Sequence, residues 1–255
     1  MSQRRKAKAA SRREEARREA ERLLRQARRR RGLAVLGVVL LVVGLAVAGV
    51  IIWQGAQATY LDDVSRRPQG SDTSGGIPVS ADGVPGTAPD APRLDVYLDV
   101  QSPASVAFWT AQAEDLERLR ADGTVALWLH LVGFVDGGIN GFSTRAGEAA
   151  VVVADRSPEQ FLAFLDGAFA RRAAGAEKLN DPDLAELGLE VGVSQDVVDK
   201  FTDGLFDRWF VAATQQAERD GVEDTPTIRL DGRTLEADWA AEGALAEAVG
   251  TAVAG

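Results

Sequence analysis

Not one of the 255 residues is cysteine. Disulfides, thiolate catalysis, iron–sulfur clusters and thiolate-bound zinc are therefore all closed to this chain. Histidine is nearly absent as well, with His130 alone, so a protein-built zinc site is not expected and no metal ligand is assigned. No cofactor is expected either. No internal repeat is present, and lysine is scarce after the first few residues.

What is there is unevenly spread. The formal net charge is −9, but residues 1–31 carry fourteen Lys/Arg against four Glu (14 − 4 = +10), so the remainder carries −19. The basic run stops at Arg28–Arg31, and Leu33 to Trp53 is uncharged and almost wholly apolar. At about 1.5 Å per residue that stretch measures roughly 31 Å, the thickness of a hydrocarbon core. Basic residues collect on the cytoplasmic side of such spans. The expected layout is a cytoplasmic tail at 1–31, a transmembrane helix at 32–54 and the rest outside the cytoplasmic membrane. The tail's charge is read as topogenic, not as a nucleic-acid site. Ala56-Gln57-Ala58 would suit a signal peptidase, but the apolar run exceeds the usual signal core, which favours an uncleaved anchor.

Residues 55–92 hold Gly75-Gly76, Pro78, Pro85-Gly86, Pro89 and Pro92 without periodicity, and are expected to be a flexible tether. Globular patterning starts at 93 and runs to 255. Leu94 to Val100 predicts a strand. Ser102-Pro103 predicts a helix start, with serine as N-cap and proline at the first helical position. Val106, Trp109, Ala113, Leu116 and Leu119 then recur at helical spacing, and Val125 to Val132 predicts a second, buried strand. A strand, helix and strand of these lengths imply a parallel, right-handed crossover.

The stretch from about 143 to 220 is helical, with starts expected at Ser143, Ser157-Pro158, Asp181-Pro182, Ser194 and near Leu205. Thr227–Leu230 and Arg233–Leu235 predict strands joined by Asp231-Gly232, a strong hairpin signal. A last helix is expected over 238–253.

This order, βαβ then a helical block then ββα, is that of an α/β thioredoxin-like fold with an inserted helical domain. The chain resembles the membrane-anchored DsbA-like thioredoxin-fold proteins of actinobacteria at three places. Tyr97 to Ser105 resembles their first strand and active-site turn, with Ser102-Pro103-Ala104-Ser105 standing where Cys-Pro-x-Cys would be. Phe142-Ser143-Thr144-Arg145-Ala146 resembles the opening of the inserted domain. Gly221 to Thr227 resembles the cis-proline loop, and this implies a cis Thr225–Pro226 bond against the start of the Ser102 helix.

The departure decides the chemistry. A cysteine at that helix start becomes a thiolate because the N-terminal dipole and N–H groups lower its pKa. Ser102 offers an alcohol, which forms no disulfide, so disulfide exchange does not carry over. Two readings remain. In one, the domain is a binding or scaffold module for extended segments of envelope or secreted proteins, docked beside Thr225 and Pro226 by strand addition. In the other it is a thiol-cofactor transferase or isomerase, since kappa-class glutathione transferases and chromene-carboxylate isomerases resemble it in their Ser-Pro pair. His130 reads as a buried core histidine, with no Ser/Asp constellation that would make a hydrolase. Asp95 and Asp99 share one strand parity and read most simply as solvated edge carboxylates; the alternative, implied by the resemblance to redox relatives, is a buried acid near the turn. Trp109, Trp128, Trp209 and Trp239 read as core, and Arg145 as a salt-bridge partner or a surface residue.

Overall fold

The central strands alternate sharply in character, and that alternation sets the layers. In the computed structural model, which describes residues 44–45 and 59–254, five strands form one sheet: β1 (Ile77–Val79), β2 (Arg93–Leu98), β3 (Ala126–Leu131), β4 (Thr227–Leu230) and β5 (Arg233–Leu235). Their spatial order is β1-β3-β2-β4-β5, with β2 and β3 parallel and the other neighbours antiparallel. Register places Leu94, Val96 and Leu98 beside Leu127, Leu129 and Leu131, with Ile228 and Leu230 on the other flank. All eight are buried and form the apolar face. Asp95, Tyr97, Trp128, His130, Thr227 and Arg229 fall on the opposite face, because side chains alternate along a strand.

The crossover between β2 and β3 is α1 (Pro103–Ala121). Its buried residues include Phe108, Trp109, Leu116 and Leu119, whereas Val106 and Ala113 are half-exposed. The core stripe is thus turned slightly from the expected one. Gln112 docks the C-terminal region on this helix. Its amide donates to the carbonyl of Trp239 (3.0 Å) and accepts from the N–H of Leu245 (3.1 Å).

The inserted block consists of α2 (Phe142–Arg156), a 3₁₀ turn at Pro158–Gln160, α3 (Phe161–Ala173), α4 (Asp181–Glu190), α5 (Gln195–Val198) and α6 (Asp207–Arg219). Asn180 and Asp183 form a reciprocal capping box at α4. The closing helix is α7 (Ala244–Ala254). The hairpin falls where the turn chemistry places it, with Asp231 at φ 48° and Gly232 at φ 78°.

Several expectations are corrected. Residues 59–92 are not a tether: Leu61, Ile77 and Val79 are fully buried, and Ile77 and Val79 pair with Leu129 and Leu127. The strand is three residues long and is specified by β3, not by a local pattern. Ser143 does not cap α2. Gly141 takes that position, and the Ser143 hydroxyl accepts the N–H of Asp136 at 3.1 Å. The last helix begins at Ala244, six residues late, because a turn closes between Asp238 and Ala241. Trp109 and Trp209 are core, but Trp128 and Trp239 are only half-buried. Trp128 lies on the polar face beneath the guanidinium of Arg93, 4.0 Å from its ring centre.

The basic tail, all but two residues of the apolar run, and the 56–58 pattern lie outside the described residues. Among the described residues no helix is long and apolar enough to cross a membrane.

Candidate functional site

The turn after β2 is held by oxygen where thiol-bearing relatives of such a turn would carry sulfur. Ser102 caps α1 from an extended conformation, its hydroxyl accepting the N–H of Ser105 at 3.3 Å. The same hydroxyl donates to the carbonyl of Thr225 at 3.2 Å. Ser105, fully buried, accepts the N–H of Asp99 at 3.3 Å. Pro103 and Ala104 are exposed at the tip. The Thr225–Pro226 bond is cis, Thr225 is buried and Pro226 is half-buried. The structure therefore joins Ser102, Ser105 and Thr225 in one hydrogen-bonded unit, with Pro226 following directly and Pro103 and Ala104 facing solvent.

A hydroxyl has a single proton to donate. Here Ser102 commits it to the Thr225 carbonyl, and only 5 % of the residue's surface is exposed. Among the described residues its hydroxyl bonds only to backbone groups, and no base activates the oxygen as a nucleophile. The Thr225 carbonyl keeps its second lone pair for another donor.

Neither Asp95 nor Asp99 is a solvated edge carboxylate, since both are buried, and Asp99 is the acid near the turn. Fully buried, it accepts the N–H of Gln101 on one oxygen and those of Phe134 and Val135 on the other, each at 2.8 Å. Burial raises its pKa above the ordinary carboxylate value, and these N–H groups oppose that rise. One carboxylate thus ties the turn to the 133–141 loop, whose Val135 and Ile139 are more than half exposed. No sequence signal announces that tie; only the glycines at 133, 137, 138 and 141 mark the loop as unusual.

Gln101 was also missed. It is 4 % exposed, and among the described residues neither amide atom of its side chain has a partner. Its backbone carbonyl accepts a 2.9 Å hydrogen bond from Arg172, at the end of α3. Arg145 reaches Asp181 at 3.3 Å and lies over the Phe142 ring.

His130 lies elsewhere, on the polar sheet face. Its Nε2 is 2.8 Å from Asp95, and its ring stacks on Tyr97 at 4.1 Å between centres. Arg93 bonds the same carboxylate oxygen at 2.8 Å. Burial alone would raise Asp95, but His130 and Arg93 together hold it below its usual value. Gly76 rests on the imidazole so closely that a Cβ there would lie 2.8 Å from Nε2. No hydroxyl bonds to His130 among the described residues, and no group of three acidic or histidine side chains there is arranged to hold a metal ion.

Three comparisons bear on this arrangement. The family model described as Thioredoxin matches residues 86–246, more than half of the chain. No curated protein matches the sequence. Among solved structures, the thiol-disulfide oxidoreductase MdbA of Actinomyces oris superposes with a TM-score of 0.62 at 20 % identity, covering 76 % of this chain and 96 % of that one. Reduced DsbA of Mycobacterium tuberculosis gives 0.55 at 28 % identity, covering 64 % and 86 %. MdbA of Corynebacterium diphtheriae gives 0.55 at 22 %, covering 72 % and 96 %.

Proposed function

The chain belongs to the thioredoxin family, with DsbA-like structural neighbours from actinobacteria, and from that premise we propose that it is a membrane-anchored, redox-inactive module binding extended protein segments outside the cytoplasmic membrane. The two MdbA proteins named above are thiol-disulfide oxidoreductases; a chain without cysteine has no sulfur to exchange. What a thioredoxin fold retains without thiols is the backbone beside the proline loop, which can accept a strand from a partner. The observation that carries this reading is the Ser102 hydroxyl bonded to the Thr225 carbonyl. It replaces a redox group with a tie that fastens the loop to the helix start. The anchor rests on the +10 tail and the uncharged run of 33–53.

The rival is a Ser-Pro transferase, in which Ser102 would hydrogen-bond a bound thiolate. That role requires the proton now given to Thr225, and burial of Ser102 opposes it.

Titration of the purified full chain with extended peptides and, separately, with glutathione discriminates the two. Thr225→Arg places a long cation at the loop and is expected to abolish peptide binding, while Ser102→Ala leaves it largely intact. Glutathione binding that is lost in Ser102→Ala, with no peptide bound, would establish the transferase instead.

A further inference from the structure

We infer that the outer edge of β5 is a docking site of its own, taking an extended, basic segment of a partner protein as a sixth strand. It is separate from the proline loop and does not rest on that reading. The two edges of the sheet are finished differently. At β1 the chain closes its own edge: the Pro78 carbonyl accepts the N–H of Gly86 at 3.0 Å, Val79 bridges Pro85, and Ser80 donates to the Val84 carbonyl at 2.9 Å. At β5 no such cover exists among the described residues. The Asp231 N–H points toward β2, bonding the Arg93 carbonyl at 2.8 Å. Antiparallel alternation therefore turns the backbone groups of Leu230 and Ile228 toward β5, and those of Arg233 and Leu235 back toward them. Thr234, between the two, aims its N–H and C=O away from the sheet, as a template for another strand.

The space beside that edge can receive side chains. A groove of about 590 Å³ runs between β5 and α7. Leu235, opposite Ile228 on the apolar face of the sheet, lines it together with Ala244 and Ala248 of α7. The helix is fixed in the core by Leu245 and Val249, both fully buried, so the groove has a firm wall. Alternate residues of an added strand would point into it, where the alanines leave room. Charge then selects the occupant. Glu236, Asp238 and Glu247 line the groove and no Lys or Arg does; Arg233 stands outside it, at the hairpin end. A basic segment complements these carboxylates while its backbone meets Thr234. A second copy of this chain would bring the same carboxylates, and a body charge of −19, against them.

The test uses the full chain in nonionic detergent and fluorescein-labelled peptides of equal length, alternating Val-Lys and Val-Ser. Val-Lys is expected to bind roughly three- to tenfold more tightly than Val-Ser, an advantage that shrinks with salt, and to protect residues 234–238 from hydrogen exchange. Thr234→Pro deletes an N–H that the ladder does not use, so the fold should tolerate it, and should remove both the protection and the lysine advantage. Ala248→Arg fills the groove from the helix side and should do the same; it decides the matter if Thr234→Pro lowers the melting temperature. Thr225→Arg, at the proline loop, should leave the Val-Lys protection at 234–238 in place. Equal binding of the two peptides, or Val-Lys protection that survives Ala248→Arg, overturns the inference without touching the proline loop. Protection by Val-Lys at 222–228 alone would assign the basic segment to that loop and overturn it. A dimer in sedimentation that Thr234→Pro dissociates, with no Val-Lys bound, would give the edge to a second copy and overturn it as well.

Discussion

Two atoms separate this turn from a redox centre, the hydroxyl oxygens of Ser102 and Ser105 in place of sulfur, and the consequences begin at the residue. The helix start that would stabilise a thiolate offers only partial charge, on the order of half an elementary unit, far too little to ionise an alcohol near neutral pH. Ser102 instead spends its hydroxyl on two backbone partners. Ser102→Ala removes a cap and a cross-loop bond, and should lower stability by about 1–2 kcal/mol, measured by denaturant unfolding. No loss at all would mean that the Ser102–Thr225 bond is absent in solution. The double change Ser102→Cys with Ser105→Cys should create an oxidisable pair, detected as loss of free thiol on mild oxidation. Two thiols that stay free under the same treatment would show that this turn departs from the geometry of its relatives. Asp99 is the counterexample to reading such sites locally. Its three N–H donors come from residues 101, 134 and 135, and only the folded chain brings the last two to it.

Elements were legible in proportion to how locally they are specified. Asp231-Gly232 yields its hairpin because the turn itself demands residues that tolerate positive φ. Ser102-Pro103 and Asp181-Pro182 mark helix starts for similarly local reasons. Strand β1 was invisible, since Ile77-Pro78-Val79 lies among glycines and prolines and becomes a strand only by pairing with β3. It matters energetically all the same. Burying Leu61, Ile77 and Val79 contributes about 1.5–3 kcal/mol each, comparable in sum to a typical total stability of about 5–15 kcal/mol. A chain beginning at residue 86, where the family match starts, should therefore lose cooperative unfolding or precipitate, while one beginning at 59 melts cooperatively. Similar melting of the two would remove β1 from the core. Helix α6 adds a pH dependence. Glu148, on α2, accepts the N–H of Phe206 at 3.0 Å. Burial, then the hydrogen bond and charge of Asp207, push its pKa from 4.5 up to about 8. The folded state thus favours the protonated form. This stabilisation is complete below about pH 4.5 and is lost as pH rises through about 8. Glu148→Gln should flatten the fall in melting temperature across that window, and an unchanged slope would assign the fall to other groups.

For the whole molecule, the charge division sets the topology expected of it: a tail of +10 on one side of an uncharged run, and −19 on the other. Protease added outside intact cells should remove the thioredoxin-like domain and spare residues 1–31; a tail cut from outside would reverse the orientation. Within the domain, the pieces that converge at one end of the sheet are the Ser102 turn, the Thr225–Pro226 loop and the 133–141 loop, with Arg172 contributed by the inserted helices. The polar sheet face, with Asp95 and His130, is closed by the 72–76 segment and serves the fold. Peptide binding at that convergence, without any thiol, is the central claim, and hydrogen–deuterium exchange of the full chain with and without a saturating extended, uncharged peptide tests it most directly. Protection is expected at residues 99–106 and 222–228, and Thr225→Arg should abolish it. Protection confined to other parts of the domain, or a glutathione-dependent change at Ser102 with none from peptide, would contradict it.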